Sequence, residues 1–127
     1  MYYINEYGKG MIIKGQRLKQ AILAALADDE IIKILDSAMY HSKSVNDVIK
    51  ECDIPHTTAY RKIKWLLDEG LIVIDKVQIT QDGKKLSLFR SVLKALNIKY
   101  EYNSVIIEAD QNLSIVEKIT ERFFSLD

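Results

Sequence analysis

At 127 residues the chain has the length of one domain, and its 48% apolar and 28% charged content is that of a globular protein able to bury a core, which excludes a disordered or disulfide-stapled chain. The one cysteine, Cys52, forms no internal disulfide. No basic segment leads into an apolar signal region, and the apolar runs at 21–27 and 71–74 fall far short of the ~20 residues of a membrane span, so a cytoplasmic protein without a membrane segment is expected. Eighteen basic residues balance eighteen acidic ones, which argues against a general polyanion binder, but the charge is segregated: +3 over 1–27, −4 over 28–53, +4 over 54–94 and −3 over 95–127.

The first ten residues, MYYINEYGKG, carry three tyrosines and two glycines and read equally as an ordered arm, a short strand or a tail. From Gly15, apolar residues at Leu18, Ile22 and Leu26 and then at Ile31, Ile32, Leu35 and Met39 have helical spacing, and Asp28 and Asp29 suit the start of the second helix as acceptors of backbone N–H groups. Ser44 opens a third helix, in which Val45, Val48, Ile49 and Cys52 form one stripe about two turns long. The chain's one proline, Pro55, disfavours helical geometry at Ile54 and is itself tolerated at a helix start. The helix that follows places Ala59, Ile63, Leu66 and Leu67 on one face and Thr57, Arg61 and Lys64 on the other, and stops at Gly70.

LIVID, beginning at Leu71, lacks helical periodicity and is β-branched, so it reads as a strand. Asp82-Gly83 between apolar-containing flanks predicts a two-residue hairpin turn. Beyond it, Leu96, Ile98 and Tyr100 alternate with Asn97, Lys99 and Glu101, and Tyr102-Asn103-Ser104 turns into VIIEA to make a second hairpin. The chain ends in an amphipathic helix with Ile115, Ile119, Phe123 and Leu126 aligned.

Helices, then a strand, a hairpin and more sheet, are the order of an α+β winged helix-turn-helix domain with an additional C-terminal β-hairpin and amphipathic helix. The expected organisation is a single domain, 1–127, with the winged-helix core at 28–92 and the strand extension and C-terminal helix at 93–127. The break at 52–55 lets the second helix of the pair project its polar face outward while the first braces it. The outward helix, about 56–69, fits a major groove and the wing, about 77–91, the adjacent backbone or minor groove. His56, Thr57, Thr58, Tyr60, Arg61 and Lys64 are the candidate contacts on the helix. Arg61 suits a bidentate contact to guanine, and Lys64 and the threonines suit phosphate. Lys84 and Lys85, at the hairpin tip, suit a neighbouring groove or backbone.

The segments IPHTTAYRKIKWLLDEGLI and TQDGKKLSLFRSVLKALNIKY resemble the recognition helix and wing of the archaeal winged helix-turn-helix transcriptional regulators of the ArsR-like superfamily, over roughly Asp28 to Asp110. The resemblance implies sequence-specific binding of double-stranded DNA, usually by a homodimer whose terminal helices supply the contact. Metal-sensing members of that superfamily cluster Cys and His, whereas this chain has one Cys and two His, so no metal or other cofactor is expected.

Plainer readings stand beside these. Arg61, Lys62 and Lys64 also fit an ordinary solvated face, Trp65 packing against the flank, and Cys52 a small buried hydrophobe. Cys52 and His56 are four apart, but Pro55 keeps them off a common helical face. No glycine-rich phosphate loop, nucleophile elbow or His-Glu helix motif is present, so no enzyme is expected. Ile115, Ile119, Phe123 and Phe124 either close the core or form a dimer contact. The alternative to a DNA-binding regulator is a winged-helix module that binds a partner protein.

Overall fold

The computed structural model describes residues 10–124, with side chains described through residue 118. Ten elements follow one another: β1 (Met11–Ile12), α1 (Gln16–Leu26), α2 (Asp29–Ser37), α3 (Val45–Cys52), α4 (His56–Asp68), β2 (Ile72–Ile79), β3 (Lys85–Ser91), β4 (Leu93–Glu101), β5 (Ser104–Gln111) and α5 (Leu113–Phe124).

Local chemistry sets the helix ends. The Asp28 carboxylate accepts the N–H groups of Glu30 and Ile31 and so caps α2. Ser44 and Asp47 form a reciprocal capping box at the start of α3. The break between α3 and α4 is made by Asp53 in the left-handed region (φ 53°), followed by Ile54, buried, and Pro55 as the residue before α4. α4 ends in a Schellman arrangement: Gly70 (φ 75°) donates to the Leu67 carbonyl and Leu71 to that of Leu66 at 2.9 Å. Leu66 and Leu71 are both fully buried, so this turn points α4 into the core at its end and launches β2 from there.

β2 and β3 pair antiparallel as a hairpin, and Lys43, between α2 and α3, bridges to Phe89 of β3 as a short third strand, donating at 3.0 Å and accepting at 2.7 Å. Helix, bridge, two-helix turn and hairpin in that order are a winged helix-turn-helix, and the α+β fold is the one expected. The turn of the wing differs from expectation. Thr80 donates to the Lys84 carbonyl and accepts from Gly83, so the connection is the three residues Gln81-Asp82-Gly83, with Gly83 at φ 81°. The Thr80 hydroxyl accepts the Lys84 N–H that a two-residue turn would have sent to a backbone carbonyl. The two-residue turn occurs in the other hairpin, where Tyr102 and Asn103 both have positive φ (50° and 60°) between β4 and β5.

β4 and β5 join β1 in an antiparallel sheet of order β1-β5-β4. The strand at Met11–Ile12 carries no alternation long enough to read; it forms because β5 offers it an edge, pairing Met11 with Ala109. The main core draws Ile22, Ile34, Val48, Leu66, Phe89 and Ile107 together from helices and both sheets. A second cluster, Val92, Ile115 and Val116 with Val73 against it, seats the start of α5.

Two polar arrangements hold α5 and the sheet to the winged helix. The Met39 carbonyl, just past α2, accepts from Arg90 Nη2 at 2.9 Å and from Asn112 Nδ2 at 2.8 Å, joining α2, β3 and the start of α5 at one oxygen. Asp75 sits where the β2–β3 register shifts, and that bulge turns its carboxylate to Lys118 Nζ of α5 at 2.6 Å and to the Ser42 hydroxyl. Burial pushes the Asp75 carboxyl up, but the bonds from Lys118 and Ser42, with the charge of Arg90, outweigh it and hold it below the ordinary carboxylate value. A carboxyl depressed on folding stabilises the protein above its unfolded pKa of ~4, and that contribution disappears as the pH falls through the lower folded value. Asp75→Asn is therefore expected to cost about 1–2 kcal/mol in urea unfolding near neutral pH and to flatten the loss of stability on acidification; an unchanged acid limb excludes Asp75 as its source.

Candidate nucleic-acid interface

At 100° per residue the buried face of α4 is Ala59, Lys62, Ile63 and Leu66, and the opposite face is Thr57, Arg61, Lys64 and Asp68, all exposed. His56, Tyr60 and Leu67 lie along one flank of the helix; Thr58, Trp65 and Glu69, each half-buried, lie along the other. The sequence-derived candidates on α4 thus divide over three strips of one helix.

Tyr60, half exposed, stacks at a tilt on His56 with ring centroids 4.7 Å apart. It lines a depression together with Asn46 of α3 and Lys85, Ser87 and Phe89 of β3, which brings the recognition-helix candidate Tyr60 and the wing candidate Lys85 to one place. Asn46 was not among the sequence candidates. A polar residue in the first turn of a helix has nothing in the sequence to distinguish it from any solvated helix start, and only the fold sets it beside the wing. Lys84 is exposed at the hairpin tip, its Nζ 3.9 Å from Asp82. Lys64 pairs with Asp68 one turn on, at 3.1 Å, so part of its charge is spent on its own helix. Arg61 faces a different depression, lined by Ala24, Asp28, Ile31, Lys62 and Trp65, and is not brought next to Tyr60 or Lys85. The half-burial of Trp65 against the main core agrees with packing on the flank.

Lys62 departs from the picture of a solvated basic face. It is 9% exposed, and its ammonium sits 2.9 Å from Glu30 and in contact with Asp28. The hydrogen bond to Asp28 raises the Lys62 pKa above its usual value against the effect of burial, with Glu30 adding to it, and the Lys62 bond holds the Asp28 carboxyl below its own. The first turn of α4 follows a proline and receives no side-chain cap, so the N–H groups of His56, Thr57 and Thr58, at the positive end of its dipole, have no side-chain acceptor from the cap position.

Cys52 is buried, and burial pushes its thiol pKa up, away from the thiolate that metals and electrophiles require. Among the described residues, no group of three His, Cys, Asp or Glu side chains is arranged to hold a metal ion, and no helix is long and apolar enough to cross a membrane. Ile115, a candidate for a dimer contact, is fully buried against Val73, Val92 and Val116 of its own chain, where it closes the core. Ile119, Phe123 and Phe124 lie outside the described side chains.

No family model matches the chain, and no curated protein does. Among solved structures, it is similar to NolR from Sinorhizobium fredii, at 11% identity and a TM-score of 0.41 over 84% of each chain. It is also similar to HlyU from Vibrio cholerae N16961, at 14% identity and a TM-score of 0.41 over 85% of this chain and 92% of that one. Neither likeness bears on function at those values, and the winged helix is established by the connectivity described above.

The contrast between two lysines two residues apart is measurable. Lys62→Met strands Asp28 and Glu30 beside an apolar group and is expected to destabilise the fold by about 1–3 kcal/mol in urea unfolding. Lys64→Met, on the exposed face, is expected to stay within about 0.5 kcal/mol of the parent protein. Equal effects would mean that Lys62 does not brace the helix.

Proposed function

We propose that the chain is a sequence-specific, double-stranded-DNA-binding transcriptional regulator acting as a homodimer, with α4 in the major groove and the β2–β3 wing on the adjacent backbone or minor groove. The supporting observation is the division of labour on α4. Its inward face is committed to the core and to the Lys62 brace, which leaves Thr57, Arg61 and Lys64 outward, while Tyr60 and Lys85 share one depression and so align the helix with the wing. In this reading Arg61 reads guanine through its two-pronged guanidinium, His56 and Tyr60 meet the DNA near the start of the helix, and Thr57, Thr58, Lys64, Lys84 and Lys85 hold phosphates. A dimer doubles the base contacts one short helix can make and sets them at a fixed half-site spacing. Kinship with the archaeal regulators of the ArsR-like superfamily belongs to the same proposal.

One observation favours a second reading, a winged-helix adaptor for a partner protein. Asp68 shares the outward face of α4 with Lys64 and neutralises it, and the whole chain carries no net charge.

Selection of random duplexes on the purified protein, followed by salt titration of the recovered sequence against a scramble, separates the two. The regulator reading expects a palindrome bound in preference to the scramble. Arg61→Ala is expected to erase the preference with the fold intact, and Lys85→Ala to weaken both duplexes alike and reduce the salt slope by about one. No enrichment, with weak or absent binding of both duplexes at low salt, rejects the regulator in favour of the adaptor.

A further inference from the structure

Leu26 of α1, Ile32 of α2 and Leu96 of β4 line one open apolar groove. Leu26 and Ile32 belong to the apolar spacing of their helices, yet they are 36% and 40% exposed. Leu23, one turn before Leu26 on α1, and Ile98, two residues beyond Leu96 on the same face of β4, are each 38% exposed as well. β4 is itself the edge of its sheet. Isolated exposed apolar residues are ordinary, but several gathered in one groove mark a contact surface. The groove also holds one charge of each sign, Asp36 and Lys94, both exposed and neither with an ion-pair partner among the described residues.

We propose that this groove is where two copies of the chain meet. In a two-fold contact a surface packs against itself, so it has to be complementary to itself in charge as well as in shape. A two-fold axis passing midway between Asp36 and Lys94, which line the same groove, would turn Asp36 of each copy toward Lys94 of the partner subunit and Lys94 toward Asp36 of the partner subunit. Two identical ion pairs would then accompany the apolar residues of the groove as they are buried. A partner of a single charge sign would leave either Asp36 or Lys94 facing its like. The described part of α5 offers no rival surface, because Ile115 and Val116 are occupied within their own chain. The use of the dimer rests on the regulator reading; the surface itself does not.

Sedimentation equilibrium of the full chain tests it, with circular dichroism to confirm that each variant is folded. The parent protein is expected at twice the 14.6 kDa of one chain. Asp36→Lys is expected to weaken dimerisation by at least about tenfold, by setting lysine against lysine. Ile32→Glu is expected to do the same, and Asp36→Lys combined with Lys94→Asp to restore the dimer, a rescue that a folding defect would not produce. A parent protein that remains monomeric at ~100 µM overturns the proposal. So does a dimer indifferent to Asp36→Lys and Ile32→Glu, or one dissociated instead by Phe123→Ala on α5. A palindromic site bound by a dimer that ignores the charge reversal keeps the regulator and removes this surface. A dimer broken and rescued by the two charge changes, with no DNA preference, keeps the surface and removes the regulator.

Discussion

The carboxylate of Asp28 governs the placement of α4. One of its oxygens caps α2 by accepting the N–H groups of Glu30 and Ile31, and the other receives the ammonium of Lys62 from α4. The start of one helix and the rotation of another are thus set by one side chain. A lysine buried without partners would lose its charge or its place, and the cost of desolvating it is met because two carboxylates and a capped helix start surround it. With Lys62 held inward, the 100° step of the helix obliges Thr57, Arg61 and Lys64 to face out.

The wing depends on the same rigidity at the far end of α4. The Leu66–Leu71 turn buries both leucines and directs β2 away from the helix, and the Lys43–Phe89 bridge ties the returning strand to the start of the two-helix unit. Tyr60 and Lys85 line one depression because both ends of this loop of structure are fixed. Electrostatics at the surface are mild: Lys64 is partly neutralised by Asp68 and Lys84 lies near Asp82, so binding by these side chains would draw on placement and hydrogen bonding as much as on net positive charge.

The sheet and the last helix are coupled to this unit by polar groups at two partly buried points. The Met39 carbonyl gathers Arg90 and Asn112, and the Asp75 bulge reaches Lys118. They fix α5 over Val73 and Val92, with Ile115 filling the gap, and leave the groove between α1, α2 and β4 open.

Much of the architecture was legible from local chemistry. Asp28, Ser44, Pro55 and Gly70 mark helix ends because caps and breakers act within four residues, and the stripes of α3 and α4 follow from helical period alone. The two hairpins were legible, but not which of them had the two-residue turn, since that rests on the hydroxyl of Thr80 taking a neighbour's N–H and on Tyr102 and Asn103 accepting positive φ. The outward candidates Thr57, Arg61 and Lys64 were readable as the polar side of an amphipathic helix. Lys62 and Asn46 were not: a lysine between two exposed basic residues looks solvated until a carboxylate 34 residues earlier is folded onto it. The strand at Met11 exists only because β5 presents an edge, and Asp75 is aimed at α5 only because the strand bulges there. By itself the sequence determined the helices, the two hairpins, their order and the polar face of α4, because caps, turns and periodicity are local interactions. Tertiary structure alone decided which lysine is a brace, which isoleucine is core and which apolar residues remain uncovered, because those depend on groups that are distant along the chain and adjacent only after folding.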